Sequence, residues 1–151
     1  MEIDNYLEVV NLEVSSANVN VTDKEELFSY AAQKLEENGV LESAEDFKRD
    51  LYYRESLGKT GIGEGIAIPH GKSKSVRKTC IALFRLKQPI EWETTDDKPV
   101  QVIILFAVSI ADQNEVFLRM MAQVARRLAR EGVCRQLAAA TTTREMIQAL
   151  Q

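Results

Sequence analysis

The chain has 151 residues, enough for one domain with a real core, and is 45% hydrophobic and 28% charged, as expected of a globular protein. Nineteen Lys and Arg against 23 Asp and Glu leave a formal charge of −4, which excludes the broad basic field of a non-specific nucleic-acid binder. No apolar run approaches the ~20 residues that span a bilayer. The opening MEIDNYLEVV is acidic and lacks the basic n-region of a secretion signal, so the expectation is a cytoplasmic chain forming one domain over residues 1–151.

Thr22 to Asn38 predicts an amphipathic helix. Thr22 and Glu25 form a capping box, Leu27, Tyr30, Ala31 and Leu35 fall on one face, and Gly39 ends it. A second helix is predicted from Ser43, with Asp46 three residues on, through Phe47 and Leu51 to Leu57. Ile66 to Ile68 reads as a strand end closed by Pro69. Cys80–Leu86 and Val100–Val108 predict two further strands, the second so continuously apolar that both of its faces should be covered. Gln113–Arg130 predicts a long helix followed by Gly132, and Val133–Ala139 and Thr143–Leu150 predict two short ones, the last capped by Thr142 and Glu145. Strands alternating with helices predict an α/β sandwich, a mixed sheet flanked by helical layers. Cys80 and Cys134 stand apart, with no CxxC or His-rich spacing, and read as small apolar core residues in a reducing compartment. No metal or cofactor is expected from these patterns.

The stretch with chemical content is Thr60–Ser73, TGIGEGIAIPHGKS, which holds the chain's only histidine, His70. Gly71-Lys72-Ser73 imitates the end of a P-loop, but the pattern needs a glycine where Ile66 stands. Gly61, Gly63 and Gly65 give G-x-G-x-G after a helix, not the G-x-G-x-x-G that follows a strand in dinucleotide folds. Both nucleotide readings fail. What remains is a glycine-rich approach that delivers a histidine onto a strand end. A neutral imidazole can attack phosphorus without a metal. A phosphoryl group on that ring needs donors, which glycine amides and an arginine supply. Arg54, sixteen positions upstream, is the candidate.

The run RESLGKTGIGEGIAIPHGK, Arg54 to Lys72, resembles the signature of the type-2 IIA domains of the bacterial sugar phosphotransferase system, the fructose/mannitol family that includes a nitrogen-related regulatory branch. The likeness extends through ADQNEVFLRMMAQVARRLA and VCRQL. The resemblance implies an α/β sandwich fold and a phosphocarrier without cofactor. In it, His70 accepts a phosphoryl group from the phosphocarrier HPr or a paralogue. It then passes the group to a cysteine of a IIB domain, which phosphorylates sugar during uptake through the membrane component IIC. Arg54 matches the arginine that contacts the phosphoryl group, and Glu64 matches an acidic position close to the site. The resemblance also implies a second reading, a regulator that acts by docking to a partner protein.

One position departs from the family. Many members carry a second histidine at the start of the long helix, and aligning that pattern on FLRMMAQVA puts Phe117 there. Phenylalanine cannot donate to a phosphoryl oxygen, though it can exclude water from the site. Arg119, Arg126, Arg127, Arg130 and Arg135 make the late helical region basic, which reads either as a solvated face or as a dock for acidic partners. The acidic residues around Glu91–Asp97 read as a loop between strands.

Overall fold

The computed structural model describes residues 5–151; the first four residues of the acidic opening segment lie outside the described residues. The elements in chain order are β1 (Ser16–Val19), α1 (Lys24–Glu37), α2 (Ala44–Leu57), β2 (Gly61–Gly63), β3 (Ile66–Ala67), β4 (His70–Lys72), β5 (Cys80–Ile90), β6 (Val100–Val108), α3 (Glu115–Leu128), α4 (Val133–Ala139) and α5 (Thr143–Leu150). The sheet runs β1-β5-β6-β3-β2, with β4 continuing the edge of β6 beyond β3. β5 and β6 are antiparallel, whereas β1 lies parallel to β5 and both β3 and β4 lie parallel to β6. The sheet is therefore mixed, as the alternation of elements predicts.

Its two faces are both dry. Ala82, Phe84 and Leu86 of β5 and Ile103, Leu105 and Ala107 of β6 face one core with Phe28, Leu35, Phe47 and Leu51 of α1 and α2. The intervening Ile81, Leu83, Val102, Ile104 and Phe106 face a second core with Phe117, Met120, Val124, Leu137 and Met146 of α3 to α5. A period of two on a strand sends neighbours to opposite faces. The unbroken apolar run of β6 follows from that layering, with helices on each side.

Local chemistry sets most boundaries. Ser43 caps α2 by accepting from the Asp46 amide, and Thr142 caps α5 by accepting from Glu145. At α1 the cap is Asp23, one residue beyond the expected Thr22. Asp23 accepts from the Glu26 amide while the Glu26 carboxylate reaches back to Thr22. Glu26, not Glu25, is therefore the returning acid. α3 spans Glu115–Leu128, shorter than the expected 113–130, and ahead of it Ile110–Asp112 form a separate 3₁₀ turn, held by Thr79 and Ser109 hydroxyls on the buried Asp112 carboxylate. β5 runs on to Ile90 past Pro89, and the pairing with β6 slips between Arg85 and Ile90 to admit it.

Candidate functional site

The glycines of Thr60–Ser73 build structure before they build any site. Glu64 (φ 55°) and Gly65 (φ 80°) are the left-handed pair of a two-residue turn between β2 and β3, with Gly63 opposite Ile66. Gly61 passes so close to the next loop that a Cβ there would stand 2.3 Å from Thr94 Cγ2 and 2.7 Å from the Glu93 carbonyl oxygen. Gly71 does the same for α2: a Cβ would meet Phe47 Cε1 at 2.6 Å. The missing side chain lets the helix lie directly on β4. These three glycines serve a turn and two close packings.

That packing brings Arg54 to His70. The Arg54 Nε–H donates to His70 Nε2 at 3.1 Å, and Nη1 donates to the Gly58 carbonyl at 3.0 Å. The neighbouring Glu55 anchors this end of α2, accepting from Lys24 and from the Thr60 hydroxyl, each at 2.7 Å. Trp92 in turn donates to Thr60. The other imidazole nitrogen, Nδ1, faces the Ile68 carbonyl oxygen at 3.3 Å. A carbonyl can only accept and a guanidinium can only donate. The proton therefore sits on Nδ1 and the lone pair on Nε2, a fixed tautomer.

His70 does not sit on the end of the Ile66–Ile68 strand, as expected; that strand closes at Ala67, and His70 opens β4 opposite Phe106. The Pro69 carbonyl carries the pairing across the gap by accepting from the Phe106 amide. The imidazole is buried, with 7% of its surface exposed. Burial pushes its pKa down to about 4; the Ile68 carbonyl pulls the other way, and the charges of Arg54 and Lys72 add smaller downward pushes. At neutral pH the ring is uncharged and nucleophilic at Nε2. Phe117, in the first turn of α3, packs on it with ring centroids 4.8 Å apart, and Phe106 packs edge-on against Phe117.

His70 and Arg54 open onto a cavity of about 420 Å³ lined also by Asp50, Tyr53, Leu57, Lys72 and Gln113. Asp50, Tyr53, Arg54 and Leu57 are spaced i, i+3, i+4, i+7, so they form one face of α2. Tyr53 and Leu57 are each 64% exposed, an apolar rim at the mouth. Reading from sequence misses Asp50, Tyr53, Leu57 and Gln113; the signal available was that α2 carries apolar residues on its polar side.

Glu64 is not brought to this site. Ile66 stands opposite Val102 and His70 opposite Phe106. Four residues of strand separate them, about 13 Å, and Glu64 lies further still. Glu64 instead lines a second cavity with Leu128, Arg130, Gly132, Cys134 and Arg135. Burial chiefly, with the Glu64 carboxylate adding to it, pushes the Cys134 thiol up to about 11. Cys80 is buried and held at about 12 by burial. Among the described residues no group of three or more His, Cys, Asp or Glu is arranged to hold a metal ion, and no helix is long and apolar enough to cross a membrane.

Residues 8–151 match the family described as phosphoenolpyruvate-dependent sugar phosphotransferase system, EIIA 2. The chain belongs to that family. It is 34% identical over 142 residues to the nitrogen regulatory protein of Klebsiella oxytoca, covering 93% of this chain and 86% of that protein. It is also 33% identical over 134 residues to the 2-O-alpha-mannosyl-D-glycerate-specific EIIABC component of Escherichia coli strain K12, covering 88% of this chain but only 20% of that longer protein. Among solved structures, the nitrogen regulatory protein IIA-Ntr from Neisseria meningitidis superposes with a TM-score of 0.84 at 29% identity, over 95% of this chain and 97% of that one. The IIA mannitol enzyme of Escherichia coli, solved in complex with phosphorylated IIB, matches with a TM-score of 0.77 at 25% identity, over 93% and 96% of the two chains. The α/β sandwich is thus the fold of the EIIA 2 family, in which sugar-specific and nitrogen-regulatory proteins both occur.

Proposed function

We propose that residues 1–151 act as one cytoplasmic IIA type-2 domain, a phosphotransferase component that carries a phosphoryl group on His70 Nε2. The observation that carries this reading is the pair of contacts on one buried ring, Ile68 on Nδ1 and Arg54 on Nε2. They set the tautomer and aim a lone pair into an open cavity. The donor is phosphohistidine of HPr or a paralogue. Nε2 attacks phosphorus, the N–P bond to His70 forms as the donor's N–P bond breaks, and the donor imidazole leaves with its electron pair. The positive charge that gathers on the His70 ring is met by the Ile68 carbonyl. Arg54 exchanges its bond to Nε2 for bonds to phosphoryl oxygens, where its planar donors fit best. In the onward step a IIB cysteine thiolate attacks phosphorus and the electron pair returns to Nε2. The exposed Tyr53 and Leu57 rim suits partners that dock and leave. Contact with a membrane is indirect, through IIC. Glu64 takes no part in these steps.

A second reading is favoured by the likeness to nitrogen regulatory proteins, which covers most of both chains. In it, the phosphorylated or free form docks to a protein it regulates, and the chemistry at His70 is the same. Incubation with enzyme I, HPr and phosphoenolpyruvate followed by intact mass tests the shared step. A gain of ~80 Da, one phosphoryl group, absent in His70→Ala, is expected. No gain with a competent HPr and a paralogue overturns the carrier reading. Transfer onward to a IIB cysteine separates the transport role from the regulatory one.

A further inference from the structure

Lys72 is two residues beyond His70 on β4, so the strand turns both side chains to the same side, their Cα atoms about 6.7 Å apart. It lines the same cavity as His70 and Arg54. Its ammonium is 4.4 Å from the centroid of the Phe117 ring, and that same ring packs against the imidazole. The cation is parked one ring away from the nucleophile.

The charge in the cavity explains what the ammonium is for. A phosphoryl group brings about −1.5 to −2 at neutral pH. Arg54 alone is formally cancelled by Asp50, which lines the same cavity. Phe117 covers the imidazole but offers no donor. We propose that Lys72 is the second cation of the phosphoryl site: when Nε2 carries phosphate, its ammonium leaves the Phe117 face and donates to a phosphoryl oxygen. No bond to the ammonium is made or broken, and its protons stay. Lys72 is exposed, so its ammonium is only weakly held over the buried Phe117 ring, and the exchange for a charge-assisted hydrogen bond is downhill. Arg85 and the arginines of α3 do not line this cavity, which leaves Lys72 and Arg54 as its cations.

This inference rests on the phosphocarrier reading, and the experiment keeps the two apart. The equilibrium between phospho-HPr and the phosphorylated chain is measured from both directions by intact mass, for the wild type, Lys72→Gln and Lys72→Arg. Lys72→Gln should lower the equilibrium constant for phosphorylating His70 about tenfold, and Lys72→Arg should restore it to within about threefold, since it keeps the charge. A lysine that only helps HPr dock changes forward and reverse rates together and leaves the equilibrium where it was. An unchanged equilibrium in Lys72→Gln therefore overturns the role of Lys72 while leaving His70 as the carrier. A wild type that takes no phosphate overturns the carrier reading itself. Because Lys72 is exposed, Lys72→Gln is expected to fold normally, which far-UV circular dichroism checks.

Discussion

The two ends of the β2–β4 segment carry two cavities of unlike character. At one end, His70 is held by opposed partners, with Arg54 and Lys72 supplying positive charge beside a neutral ring. At the other, Glu64 sits in a tight turn beside a thiol that burial and the carboxylate both keep protonated. Five residues lie between Glu64 and His70, and past the turn residue Gly65 they run along β6 through β3 to the start of β4. Extended backbone turns closeness in a motif into distance in space. A signature can thus be contiguous in sequence and yet serve one site with its histidine and a turn with its acid.

The sharpest break of this contrast is His70→Ala, which should abolish labelling completely while leaving the circular dichroism spectrum unchanged. Arg54→Gln should come next, slowing phosphorylation about 10- to 100-fold in a single-turnover assay, the worth of a charge-assisted hydrogen bond to a developing phosphoryl charge. Gly71→Ala attacks the same end through packing. Its Cβ would press on the Phe47 ring, which is fully buried, so stability should drop by about 1–3 kcal/mol in urea denaturation, with phosphorylation impaired as Arg54 is displaced.

A pH titration probes the ring directly, because the chain has one histidine. Its pKa in the fold is about 4 against 6.5 for the free group. The unfolded chain thus binds more protons between those values, and stability should be complete above about pH 6.5 and fall as pH drops towards 4. Imidazole nitrogen shifts by NMR should still report the neutral Nδ1–H tautomer at pH 5.5; a ring half-protonated near 6.5 contradicts the burial argument. The smallest effect is expected from Glu64→Gln: labelling within about twofold of wild type, with the Cys134 thiol pKa lowered in an alkylation-rate profile. A large loss of labelling in that variant would return Glu64 to the site.

Elements with strong local signals were legible in the sequence. α2 and α5 begin where Ser43 and Thr142 predict, because caps are satisfied within one turn of chain. β6 was legible from its apolar run alone. β1 was not, since SANV offers four residues with small polar ones among them, and only the parallel partner β5 makes it a strand. β2 and β4, three residues each, are likewise strands by virtue of their neighbours. His70 and Arg54 were the candidates from sequence, and the structure brings their side chains into contact. Asp50, Tyr53, Leu57 and Gln113 were not, because lining a cavity depends on which way α2 faces once it packs.

The sequence by itself determined the family of the protein: one histidine in a glycine-rich run, an arginine at a set distance, and a family signature around them. It also determined the layered fold, through apolar periodicity that leaves the sheet covered on both faces. Only the tertiary structure decided which nitrogen of His70 bears the proton, since that depends on a carbonyl two residues away and a guanidinium on another element. It also decided that Phe117 lies on the imidazole, that Lys72 rests on Phe117, and that Glu64 belongs elsewhere. Those are outcomes of how α2 and α3 pack on opposite faces of one sheet, and packing direction is a property of the whole core rather than of any local stretch.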